Sequence, residues 1–264
     1  MISLEQLQAG LVLPIDKPRQ WTSFQAVNKV KATIRRLYGL KTFKIGHAGT
    51  LDPLATGLLL VCVGKATKTI PQLQDGDKTY TGTMVLGATT PCYDMEQAID
   101  NLYPTAHITP AMIEKGTHDF VGTVMQVPPM FSAVKVDGQR AYEYARRDDP
   151  TATIQPKAVK IYQFTIESLS TTDGTEGASE PVADSGTTHL YDKPRCVVPA
   201  GLPKVAFRIA CGKGTYIRSI ARDFGTALGS GAFLASLRRE QVGDYTVDHA
   251  LKLDEVERFL TAGQ

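Results

Sequence analysis

Hydrophobic positions follow three rhythms along this chain, and each predicts a different kind of element. Leu58-Leu59-Leu60-Val61-Cys62-Val63 is an unbroken apolar run closed by Gly64, as expected of a short strand buried in the interior. Val159, Ile161 and the residues up to Ile166 alternate with polar ones, the pattern of a half-buried strand. The stretches 11–15, 78–87 and 205–210 also read as strands, the second rich in Thr, Tyr and Val. Helical spacing appears in Val27, Val30, Ile34 and Leu37, with Thr22-Ser23 as the N-cap and Gly39 as the stop. It returns in Ile217, Ile220, Phe224 and Leu228, ended by Gly229, and briefly in Leu253, Val256 and Leu260. Thr109-Pro110 predicts another helix start, and Asp137-Gly138 a hairpin turn.

Composition narrows the class. With 264 residues, 42% hydrophobic and 21% charged, the chain can bury a real core as one large domain or two small ones. No apolar run approaches the roughly 20 residues of a membrane helix. The first 13 residues contain Glu5 and no basic segment, so no signal peptide is expected. Cys62, Cys92, Cys196 and Cys211 are scattered without a CxxC pair, which predicts reduced thiols in a cytoplasmic protein, with neither zinc nor disulfides. The net charge of +2 is unevenly spread: residues 168–189 carry four acids and no Lys or Arg, which leaves +6 on the remainder. A basic body with an acidic insert suits a polyanionic partner. The insert itself is rich in Ser, Thr, Gly, Asp and Glu and is expected to be mobile.

The chemistry concentrates in residues 46–57. Gly46, Gly49 and Gly57 permit sharp bends and close approach of a ligand. Asp52 is the one acid among them, and Pro53 restricts it to extended conformations. The stretch therefore holds a carboxylate on a loop at the end of a rigid apolar shelf. Taken alone, Asp52 could equally be a turn residue. Gly64-Lys65-Ala66-Thr67 is not the end of a P-loop, because Leu59 and Ala66 stand where glycine and Ser/Thr are required.

The wording GHAGTLDPLATGLLLVCVGKATK resembles the catalytic motif of the TruB family of tRNA pseudouridine synthases. The resemblance extends from about Gly10 to about Tyr245. Asp16, Lys17, Pro18, Thr22 and Ser23 fit the family's DKPxGxTS, although Gln20 replaces its glycine and puts that turn's geometry in question. The segment 78–87 fits KTY before LGxxT, and 126–138 resembles QxPPxxSAxK, to which a structural role is assigned. Thr90 and Asp94 match a further pattern that Cys92 and Gln97 break, and no role is assigned there. Lys213-Gly214-Thr215-Tyr216-Ile217-Arg218 resembles the family's KGTYIR element, and Leu237-Arg238-Arg239 its L-R-R segment, expected at the end of a helix.

The resemblance implies an α+β fold: a single catalytic domain over residues 1–264, with a long mixed, largely antiparallel sheet flanked by helices. Composition adds a mobile insert at about 168–190, and of the small C-terminal RNA-binding domain that many family members carry, at best a fragment is expected here. The resemblance makes Asp52 the nucleophile that converts uridine 55 of the tRNA T-loop to pseudouridine, on a base flipped out of the RNA. Substrate-binding roles fall to Tyr80, stacked on the base, to Tyr216, to Arg218 as the cation answering Asp52, to His47 in the vacated space, and to Leu237 and Lys17. No cofactor and no metal are implied. The expected partner is the T-arm of tRNA, bound by a monomer with no membrane. Two other classes stay open: a tRNA-folding helper with idle chemistry, and a small-molecule hydrolase, which would need a second acid/base not visible near the motif.

Overall fold

In the computed structural model of the chain, residues 2–145, 147, 149, 153–175 and 196–262 are described. Helix α1 (Leu4–Ala9) precedes strand β1 (Leu11–Lys17), helix α2 (Ser23–Tyr38) and strands β2 (Ile45–Ala48) and β3 (Thr56–Val63). Helix α3 (Ile70–Asp75) leads to β4 (Lys78–Leu86) and to the two-residue ladder of β5 (Ala88–Thr89) with β6 (Asn101–Leu102). Helix α4 (Pro110–His118), strand β7 (Gly122–Gln126), the hairpin of β8 (Lys135–Val136) and β9 (Gln139–Arg140), and helix α5 (Ala141–Ala145) follow. The long strands β10 (Lys157–Thr171) and β11 (Pro203–Cys211) precede helix α6 (Ile217–Ala227), strands β12 (Ala232–Val242) and β13 (Tyr245–Thr246), and helix α7 (Val256–Thr261).

The chain divides into two compact units, Met1–Tyr80 with Leu237–Gln264, and Thr81–Ser236. In the first, β3 is the central strand. It pairs antiparallel with β1 from Leu11↔Val63 to Lys17↔Gly57, antiparallel with β2, and parallel with β12 at Arg238↔Thr56 and Arg239↔Gly57. All residues of β3 from Gly57 to Val63 are buried, so the unbroken apolar run is a strand covered on both faces. Ala48, Leu58, Leu60, Val242 and Val247 form one core cluster, closed by Val12, Ile70, Leu73 and Tyr245. Helix α2 begins with a full capping box, Thr22 with Gln25, and ends at Gly39 in the left-handed region, as its sequence predicts.

The second unit holds β4 from Thr81 onward, β11, β10 and β7 in hydrogen-bonded order. The α6 residue Phe224 meets Phe120 edge-on and Phe164 at a tilt, at centroid distances of 5.7 and 5.2 Å, and Phe164 meets Phe207 edge-on at 6.2 Å. The Asp137-Gly138 turn is present, with both residues at positive φ as a two-residue hairpin requires. Antiparallel ladders together with the parallel pairing of β12 and β3, flanked by helices, make the fold α+β with a mixed sheet.

Two expectations change. Leu237-Arg238-Arg239 does not end a helix: it lies within β12. Phe233, Leu234 and Leu237 fit helical spacing, but Gly229 and Gly231 intervene after α6, and the β3 ladder takes up the backbone at Arg238 and Arg239. The insert also begins later than residue 168. Strand β10 runs on to Thr171, pairing Ser168↔Ala206 through Thr171↔Pro203. Residues 176–195 lie outside the described residues.

Candidate active site

Asp52 sits half-buried on the loop between β2 and β3, and the loop is held by groups drawn from distant parts of the sequence. The buried Arg239 brackets it: Nη2 donates to Gly49 O at 3.0 Å and Nε to Leu58 O at 2.8 Å. Ser23 Oγ, at the start of α2, accepts from Leu51 N at 2.9 Å and donates to Leu51 O at 3.1 Å. On the other side of Asp52, Pro53 O accepts from Gln20 N at 2.8 Å and from Lys17 Nζ at 3.3 Å. Both neighbours of Asp52 are therefore fixed through their backbones, which holds the root of its side chain. Gly57 is required by this arrangement: at φ +98° a Cβ there would lie 2.3 Å from the carbonyl oxygen of Arg239.

Cations dominate the surroundings. The side chain of Lys17 is fully buried, and its ammonium also donates to Pro18 O at 3.0 Å and Trp21 O at 2.6 Å. Burial pushes Lys17 down to about 7; the nearby charge of Asp52 opposes this fall, and Arg239 adds to it. His47 on β2 is lowered by burial and then by Arg239, with the Gly49 backbone opposing, so the neutral imidazole is favoured. Arg238 makes a two-pronged contact with Asp16, at 3.0 and 2.8 Å. Gln20, where the family pattern has glycine, keeps the turn by adopting φ +66° itself.

In the second unit, Tyr216 stands at the N-cap position of α6 and Arg218 lies buried in its first turn. Arg218 donates to Cys92 O at 3.1 Å and Phe131 O at 2.8 Å, and its Nε lies 3.7 Å from Asp94 Oδ2. Asp94 thus supplies a carboxylate to Arg218 from the loop to which the sequence assigned no role. Gln126 fixes Tyr216 through its backbone, accepting from Tyr216 N at 2.8 Å and donating to Tyr216 O at 3.1 Å. The proline segment next to it supplies Val127 O to Ser219 Oγ at 2.8 Å, which gives 126–138 the structural task expected of it. The Tyr216 ring lies 4.9 Å from Lys157 Nζ, a cation–π contact.

The structure gathers Lys17, His47 and Asp52 around one loop of the first unit, where Tyr80, 9% exposed, lies on β4 and Leu237, half-buried, on β12. Tyr216 and Arg218 share the start of α6 in the second unit. Ser23, Arg239, Asp94 and Gln126 escaped the sequence reading as functional residues. Each acts through a backbone group or another side chain, and only a buried polar side chain in a motif could have hinted at them. The described cysteines are all buried and unpaired by disulfides, and burial raises Cys62 and Cys196 to about 11 and Cys92 to about 12. No helix among the described residues is long and apolar enough to cross a membrane.

Residues 35–187 match the N-terminal domain of the TruB family pseudouridylate synthases, and residues 218–263 match the C-terminal domain of tRNA pseudouridylate synthase B. The chain belongs to the TruB family. It is 45% identical to the tRNA pseudouridine synthase B of Flavobacterium johnsoniae over 97% of this chain and 98% of that one. The corresponding protein of Phocaeicola vulgatus is 43% identical over 95% and 93%. Among solved structures, a Cbf5-Nop10-Gar1 complex shares the fold at a TM-score of 0.60 and 26% identity, over 96% of this chain and 55% of that one.

Proposed function

We propose that the chain isomerises uridine to pseudouridine in tRNA, at the T-loop position 55, with Asp52 as the nucleophile. The relatives of similar length named tRNA pseudouridine synthase B support the reaction and the RNA class. The observation that carries the residue assignment is the bracing of Asp52 through the backbones of Leu51 and Pro53. The reaction breaks the bond between uracil N1 and ribose C1′, turns the base, joins C5 to C1′ and moves one proton from C5 to N1. No atom or electron is gained or lost, so the residues need only attack, hold and shuttle. Asp52 supplies the carboxylate for the covalent step. Arg218, its guanidinium already oriented by two carbonyls and Asp94, holds negative charge; Tyr80 stacks on the base and is the candidate for the C5 proton. The target base leaves its stack before reaction, and the neutral ring of His47 fills the space it vacates. Tyr216 and Leu237 line the base, and Lys17 acts by positioning the loop. The same proposal has the protein act in the cytoplasm, as a monomer on the T-arm.

The test is purified protein with an unmodified tRNA transcript, scored for pseudouridine. Asp52→Asn removes both charge and nucleophile, and turnover should fall by at least ~10³ while RNA binding survives. Wild-type turnover in that variant would make Asp52 a turn residue. A wild-type protein that binds tRNA and leaves every uridine unchanged would favour the folding-helper reading.

A further inference from the structure

We infer that the outer face of helix α2 is an RNA-contacting surface, with Phe24 as a base-stacking platform and Lys31 and Arg35 as phosphate contacts. The inference rests on the RNA reading above and extends it to a surface beyond the residues assigned there. Phe24 is 70% exposed, among the most exposed large apolar side chains described, although it lies in the first turn of a well-capped helix. Its position is tied to the nucleophile loop: Ser23, the residue before it, holds both backbone groups of Leu51, the residue before Asp52. An aromatic ring is thus presented to solvent beside the loop on which a nucleotide must react.

The rest of the face has the character of a polyanion surface. At 100° per residue, Phe24, Asn28, Lys31 and Arg35 fall within about 60° of arc and span roughly 16 Å along the axis. That length matches a few successive phosphates of an RNA strand. Buried Ser23, Ala26, Val27, Val30, Thr33 and Ile34 occupy the other side, which fixes which face looks outward. The helix contains no Asp or Glu. Arg36, off this face, is answered by Glu257 of α7, whereas Lys31 and Arg35 have no ion-pair partner among the described residues. A face evolved only for solubility would favour mixed signs and has no need of an exposed phenyl ring. An aromatic followed by cations along one line is the arrangement that takes up a base and its phosphates.

Binding of a T-arm transcript by the full chain carrying Asp52→Asn, as a function of salt, tests the inference; kcat and KM are taken on the otherwise wild-type chain. Phe24→Ala should weaken binding by about 5- to 100-fold, the worth of one base–aromatic stack, with KM raised and kcat at saturating RNA within two-fold. Phe24→Tyr should restore it. Lys31→Gln with Arg35→Gln should flatten the dependence of log affinity on log salt by about 1.5, as expected for two phosphate contacts. Melting temperatures should stay at the wild-type value, because none of these side chains is part of the core. Phe24→Ala with an affinity within two-fold of its parent overturns the inference, as does an unchanged salt slope in the double variant. A change in self-association on Phe24→Ala without a change in RNA affinity would also overturn it, and would mark a protein-binding face. If RNA binding depends on Phe24 and the wild type makes no pseudouridine, the surface stands and the proposed activity fails. If the wild type makes pseudouridine and Phe24→Ala matches it in affinity and KM, the surface alone fails.

Discussion

The loop that carries Asp52 and the helix start that carries Arg218 solve the same problem in opposite ways. Around Asp52 the carboxylate is left half-buried, and buried cations go to backbone carbonyls: Arg239 to Gly49 and Leu58, Lys17 to Pro53, Pro18 and Trp21. At Arg218 the charged group is itself buried, and the carbonyls of Cys92 and Phe131 and the carboxylate of Asp94 hold it. In the first case charge positions a backbone; in the second, backbone positions a charge. The proposed roles account for the difference: a carboxylate that forms a bond needs freedom at its tip and rigidity at its root. A guanidinium that only orients and stabilises can be fixed along its whole length.

The comparison can be broken most sharply at Arg239. Arg239→Met leaves two backbone carbonyls without their donor, and stability should fall by roughly 3 kcal/mol at one to three for each unsatisfied group. Urea unfolding measures this, and a loss below ~1 kcal/mol would mean the loop closes without its bracket. Arg218→Lys keeps the charge and discards the planar fork, so turnover should fall about 10- to 100-fold, the size of one hydrogen bond to a charged group at roughly 1.5–3 kcal/mol. An unchanged kcat would remove Arg218 from the chemistry.

Lys17 sharpens the contrast through pH. Its folded value of about 7 lies below its ordinary 10.5, so between those limits the unfolded chain binds more protons than the folded one. Stability contributed through Lys17 therefore rises with pH across that window and is flat below it. Lys17→Met should abolish this rise, read as urea midpoints from about pH 6.5 to 9.5; parallel curves for the two proteins would count against it. The smallest effect belongs to Gln20. A non-glycine residue at φ +66° is strained by about 1–2 kcal/mol, and glycine returns roughly half of that through its freer unfolded chain. Gln20→Gly should leave stability unchanged or raise it by under ~1 kcal/mol. A loss beyond that would show that the side chain, not the turn, is what matters there.

Much of this protein was legible in its residues one stretch at a time. The apolar run before Gly64, the cap at Thr22 and stop at Gly39, the Asp137-Gly138 turn and the helix after Lys213-Gly214 are local events, decided by steric limits and periodicity within a few residues. Asp52 stood out for the same reason, as an acid framed by glycines and a proline. The chain could not announce on its own that Leu237-Arg238-Arg239 would be strand, because Phe233, Leu234 and Leu237 satisfy either period and only the parallel ladder to Thr56 and Gly57 breaks the tie. Nor could it show that Arg239 grips Gly49 and Leu58, some 180 to 190 residues away in sequence, or that Asp94 answers Arg218 across more than a hundred residues. Those contacts join groups with no shared local pattern. A buried cation must find acceptors wherever the fold brings them, and that choice is made only when the chain is packed.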